Sequence, residues 1–197
     1  MLVNAAEYEA PTLLVGQVDA ATALSQPGHA VTPQAVQRLG LAGVLGPTFE
    51  ARGRLFTPEA VERLSAAPML QPLTEAATVL RVGPAVPTDS EDRTWLGWHE
   101  ALYRDDPEAA VAGVDRWWQL RTIDLGRRVL VTVAGFVVLS GRITEVTTWE
   151  SLRRLRLDVD PRDPDDPITR LPTGGGGPVL DLPAAPPGRG QRRRQGS

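Results

Sequence analysis

The sequence predicts an α+β protein: a helical N-terminal part, then a helical pair with a small antiparallel sheet, then a disordered end. Three observations predict it. Up to about Leu64 the apolar residues recur at helical spacing. From Gly126 they switch to every second residue, as in Val129, Val131 and Val133 and again in Leu155, Leu157 and Val159, which is the period of a half-buried strand. From Pro161 onward Pro, Gly and Asp dominate and leave little to bury.

The chain of 197 residues is 42% hydrophobic and 23% charged, the balance of a globular protein, and its 18 Pro and 19 Gly imply linkers or tails. Every basic residue is Arg, which fits a GC-rich bacterial coding sequence better than selection for guanidinium geometry. The absence of Cys excludes disulfides, thiolate nucleophiles and Cys-based metal sites. With a net charge of -3, any nucleic-acid binding has to rest on a local patch. The first residues carry Glu7 and Glu9 and no basic region, unlike a signal peptide, and the apolar run Val129–Leu139 is too short to span a bilayer. A cytoplasmic location and no membrane partner are therefore expected.

Taken in order, Leu13-Leu14-Val15 reads as an edge strand or an N-terminal arm. Val18, Ala21 and Leu24 then predict a helix to about Ser25, stopped by Pro27-Gly28. Thr32 is a good N-cap and Pro33 sits at the first helical position, where a missing N–H costs nothing. In that second helix Ala35, Val36 and Leu39 face inward, Gln34, Gln37 and Arg38 face outward, and Gly40 and Gly43 end it. An extended segment from Thr48 to Phe56 reads as a hairpin with its tip near Glu50–Gly53. Thr57-Pro58 repeats the start signal, with Glu59 in the first turn where a carboxylate suits the helix dipole, and with Val61 and Leu64 inward. Helix, turn, helix, hairpin, helix is the order of a winged helix-turn-helix, assigned to residues 1–67.

Residues 68–90 read as a Pro-rich linker that admits a short helix from about Leu73 to Arg81. Residues 91–160 read as a small α+β domain. In it, Ser90 caps a helix to about Arg104, Asp106-Pro107 starts another through Trp118, and strands follow, broken at Ala134-Gly135 and at Ser140-Gly141. Residues 161–197 read as a disordered Pro/Gly/Arg tail ending in the basic patch Arg189 and Arg192–Arg194.

Two blocks of the first part, TPQAVQRLGLAGVL (Thr32–Leu45) and GRLFTPEAVERL (Gly53–Leu64), resemble the MerR-type winged-helix family over residues 16–67 only. Thr32, Pro33, Val36, Arg38, Leu39, Gly43, Val44 and Leu45 match in the first block, and Arg54, Phe56, Thr57, Pro58, Glu59, Val61 and Leu64 in the second. The chain departs from the family in a longer turn, SQPGHAV, in Gln37 where Arg is usual and in Leu39 where an aromatic is common. It also lacks a dimerising coiled coil. It is thus more similar to the short excisionase-like relatives. The resemblance implies that the second helix enters the major groove. Gln34, Gln37 and Arg38 would then lie at base edges or phosphates, Arg52 and Arg54 in the wing at phosphates or the minor groove, and Thr32 would hold the helix N-terminus.

The expected function is that of a non-enzymatic DNA-binding protein of the nucleoid, a transcriptional regulator or excisionase-like architectural factor. Double-stranded DNA is its expected partner, and residues 91–160 supply a homodimer or partner contact. The alternative is an assembly or adaptor protein whose winged helix binds protein, because Asp19, Glu50, Glu59 and Glu62 balance Arg38, Arg52, Arg54 and Arg63. No cofactor, metal or catalytic residue is expected. The acidic run Asp158–Asp166 lacks the Gly and terminal Glu of a calcium loop, Gly174–Gly177 lacks the Lys of a phosphate loop, and His99 has no evident catalytic partner. Trp95, Trp98, Trp117 and Trp118 read as core or dimer contacts rather than a ligand cage or stacking platform. The terminal arginines read as added phosphate affinity or as a solubilising end.

Overall fold

The computed structural model describes residues 13–90, 93–120, 123–162, 168–172 and 178–185. The first elements are short and follow their local signals. β1 (Val15–Gly16) leads into α1 (Gln17–Leu24), then come α2 (Pro33–Leu41), the hairpin of β2 (Phe49–Glu50) and β3 (Arg54–Phe56), and α3 (Pro58–Ser65). The hydroxyls of Thr32 and Thr57 accept from the Ala35 and Ala60 amides at 3.2 and 3.3 Å, the capping their positions before proline predict. β1 and β2 flank β3 in a three-stranded sheet. Gly40 lies inside α2 rather than ending it. The Phe56 ring lies so close that a Cβ there would sit 2.7 Å from its Cε1, so helix and hairpin pack only because the residue is glycine.

The remaining elements are β4 (Ala77–Val82), β5 (Val86–Ser90), β6 (Arg93–Leu96), α4 (Glu100–Asp105), α5 (Pro107–Val114), β7 (Trp117–Gln119), β8 (Arg128–Val133), β9 (Phe136–Trp149), β10 (Leu152–Val159), β11 (Thr169–Arg170) and β12 (Val179–Leu182). Seven of the strands form one sheet in the order β12-β4-β8-β9-β10-β7, with β11 added beside the start of β9. β4 and β8 run parallel, from Ala77 beside Arg128 to Val82 beside Val133, and the other pairs are antiparallel. The long strand β9 pairs with β8 through its first half and with β10 through its second.

This architecture overturns the expected α+β assignment of a winged helix-turn-helix followed by a helical pair, a small antiparallel sheet and a disordered tail. Among the described residues strand accounts for 40% and helix for 25%, in five helices around a large mixed sheet. The reason lies in the core. One hydrophobic cluster runs from Ala20, Leu24, Val36, Leu39 and Phe56 through Leu80 and Trp98 to Val131, Val138 and Leu155, so α1 to α3 are a cap on the sheet. The helix expected near Leu73–Arg81 is the strand β4. Four of its first residues in succession are buried, and such a run has no two-residue alternation to mark it as strand. The helix expected from Ser90 to Arg104 is strand β6 followed by the short α4, and the helix expected through Trp118 stops at Val114, leaving Trp117 and Trp118 in β7. Ser140-Gly141 is no turn. A Cβ on Gly141 would sit 2.3 Å from the Asp158 carbonyl oxygen, and the strand passes straight through.

Within the expected tail, β11 and β12 belong to the sheet, and Leu171 is buried. Residues 163–167, 173–177 and 186–197 of that tail, with the Gly run and the terminal arginines, lie outside the described residues, as do residues 163–166 of the acidic run and residues 1–12.

Two residues tie the cap to the sheet. Arg170 of β11, 0% exposed, sends its guanidinium to the C-terminal ends of α1 and α3. It donates to the carbonyls of Ala67 (2.9 Å), Leu64 (2.7 Å), Leu24 and Ser65. Its charge faces the negative ends of two helix dipoles instead of a carboxylate. His29, in the turn after α1, hydrogen-bonds through Nδ1 to the Leu171 carbonyl at 2.6 Å. Its ring meets Phe136 edge-on at 5.0 Å, and the Arg170 guanidinium lies 5.2 Å from the same Phe136 ring.

Candidate nucleic-acid interface

α2 has two unlike sides, set by the helical repeat. Val36, Leu39 and Gly40 are buried, whereas Thr32, Gln34, Gln37 and Arg38 are exposed, and Leu41, 41% exposed, continues the outward strip. The anchoring of α2 is elsewhere: the carbonyl of Ala42, just past its end, accepts from the Glu100 amide at 2.8 Å, where α4 begins. The outward strip therefore stays clear of the sheet. Polar side chains of this kind can donate to and accept from base edges or phosphates, Arg with a fixed fork of donors and Gln with one of each.

The hairpin places the remaining two expected residues differently. Arg52 lies exposed at its tip. Arg54 is half-buried and pairs with Glu50 across the strands at 3.0 Å, and its Nε and Nη1 are buried without a hydrogen bond. A guanidinium in that position carries little field outward, because the carboxylate cancels it. Thr32 holds the first turn of α2 through Ala35. The structure thus gathers Gln34, Gln37 and Arg38 on one strip and sets Arg52 and Arg54 apart from each other in their surroundings.

A second exposed feature lies on the outer face of the β7–β10–β9 edge. Trp117 pairs with Arg154 and Arg154 with Thr147 in cross-strand register, so their side chains share one face. Trp117 and Trp149, 39% and 58% exposed, have ring centroids 6.1 Å apart. A shallow cavity of about 210 Å³ beside them is lined by Asp115, Trp117, Glu145, Thr147, Arg154 and Arg156. Its charges cancel in pairs, Arg154 with Asp115 at 3.2 Å and Arg156 with Glu145 at 3.5 Å. Trp149 is not among the residues expected from the sequence. An alternating polar strand next to a turn is the signal that would have placed it outward.

The other tryptophans and the second histidine are structural. Trp98 and Trp118 are buried, and Trp95 is half-buried. Trp98 Nε1 donates to Glu100 at 3.2 Å. Glu100 in turn pairs with Arg162, whose guanidinium stacks over Tyr103. His99 caps α4, its Nδ1 accepting from the Ala101 amide at 3.2 Å. Among the described residues no three His, Asp or Glu side chains gather as a metal site, and no helix is long and apolar enough to cross a membrane. Comparison with protein-family models, curated proteins and solved structures finds no match.

Proposed function

We propose that the protein is a non-enzymatic DNA-binding factor, a regulator or an excisionase-like architectural protein, that meets duplex DNA with the outward strip of α2. Gln34, Gln37 and Arg38 approach the bases and nearby phosphates, and Arg52 takes a phosphate from the hairpin tip. The observation that supports this reading is the division of α2, whose polar strip is exposed along its length while its apolar strip is buried. Two outward cations contribute little of the phosphate neutralisation on which affinity rests, so binding is weak and a second contact, through a homodimer or a partner on residues 91–160, is required for specificity.

The test is fluorescence anisotropy of a labelled duplex over a salt series at micromolar protein. Two phosphate contacts imply a loss of about tenfold in affinity between 50 and 200 mM salt. Absence of salt-dependent binding at low salt would overturn the reading. In that event the second reading holds, an adaptor that binds protein, which the Trp117–Trp149 pair beside two neutralised ion pairs favours. Trp149→Ala would then weaken a partner complex that Arg38→Ala leaves intact.

A further inference from the structure

His29 is 1% exposed and sits where the cap meets the sheet. Its Nδ1 faces the Leu171 carbonyl, so in the neutral ring Nδ1 carries the proton and Nε2 is bare. Nε2 is buried without a hydrogen-bond partner. The space around the ring is closed: a Cβ on Gly135 would lie 2.7 Å from the His29 Cε1. Each packed element presents a different group. The β8–β9 turn offers Gly135, β9 the Phe136 ring, and the β11 segment the Leu171 carbonyl and the Arg170 guanidinium. The ends of α1 and α3 nearby offer carbonyls, and Arg170 takes them. The charged group facing the ring is thus a cation. A second proton on His29 would create a buried N–H with no acceptor and a positive charge beside Arg170.

We propose that His29 is an acid-sensitive latch, holding the helical cap on the sheet while neutral and releasing it when protonated. Desolvation by burial, the largest influence, and the Arg170 charge both hold its pKa below the ordinary 6.5, against the opposing Leu171 hydrogen bond. Release is local, because the groups it frees are those at the seam. The Leu171 amide donates to Gly135 and the Arg170 amide to Pro68, both at 2.8 Å, whereas β8 lies inside the sheet between β4 and β9.

Residue-resolved amide exchange, corrected for intrinsic rates, tests this between about pH 7.5 and pH 5. Protection of the Arg170 and Leu171 amides, relative to Val131 in β8, is expected to fall as pH drops below 6.5, by up to about tenfold per pH unit. His29→Asn keeps a donor at the Nδ1 position and cannot titrate, so its ratio is expected to stay flat. A flat ratio in the wild type, or an undiminished slope in His29→Asn, overturns the latch. If His29→Asn does not fold, the imidazole resonance of wild-type His29 decides. A titration midpoint below 6.5 supports the latch, and one at or above it overturns it.

Discussion

The Arg170 guanidinium donates to the carbonyl of Leu24, 146 residues earlier in the chain, and so joins the sheet to the end of the first helix. Two further helix-end carbonyls, those of Leu64 and Ser65, share the same charged group. A buried arginine normally finds a carboxylate, and here two helix termini take that place.

Removing it leaves several carbonyls buried without a donor. Arg170→Met, close in volume and apolar, is expected to destabilise the protein by about 3–5 kcal/mol, since the carbonyls lose charge-assisted bonds and cannot reach water. Arg170→Lys is expected to recover only part of this, because an ammonium cannot span carbonyls from two helices in one plane. Urea midpoints at constant m-value measure both.

Acid is expected to weaken the fold in two stages. Desolvation by burial lowers the pKa of His29 and of His99 below the ordinary 6.5. As pH falls, the unfolded chain takes up these protons first, so stability is full above 6.5 and declines below it. Protonation would also cost α4 its cap, since His99 Nδ1 must be bare to accept from Ala101. The hydrogen bond from Arg142 holds the Glu75 carboxyl below its ordinary 4.5, so a second decline begins under that pH. Urea midpoints from about pH 8 to pH 3 check the order, and the double variant His29→Asn, His99→Asn is expected to lose the first stage.

Glu50→Gln frees the guanidinium of Arg54 from its ion pair. If DNA is the ligand, affinity is expected to rise and the slope of log K against log salt to steepen by up to about 1, whereas Arg38→Ala and Arg52→Ala shift it the other way. An unchanged slope in all three variants would exclude phosphate contacts from this surface.

The tryptophans are expected to separate by burial. Trp118→Ala is expected to cost about 3–5 kcal/mol, as for a large core side chain. Trp149→Ala, on the exposed edge, is expected to change stability by less than about 1 kcal/mol. Thermal melts of the two variants measure the contrast.

The features legible along the chain are those set by local forces. The Thr32-Pro33 and Thr57-Pro58 starts, the Asp106-Pro107 start and the two outward glutamines of α2 follow from the caps and the helical repeat, which act within one turn of chain. Strands β8 and β10 were legible from their sequence alternation for the same reason, although β8 is buried on both faces from Val129 to Val133. The remaining features are set by packing between elements. β4 is buried among its first residues without alternation, so pattern alone could not tell it from a helix. Trp117 and Trp118 continue a helical spacing but pair with β10. β11 and β12 are short, sit among prolines and glycines, and become strands because β9 and β4 offer them unpaired edges. The role of Arg170 and the enclosure of His29 depend on contacts between distant segments. Residue type and spacing carry no trace of such contacts, because the free energy of burial and hydrogen bonding that sets them is shared across the whole core.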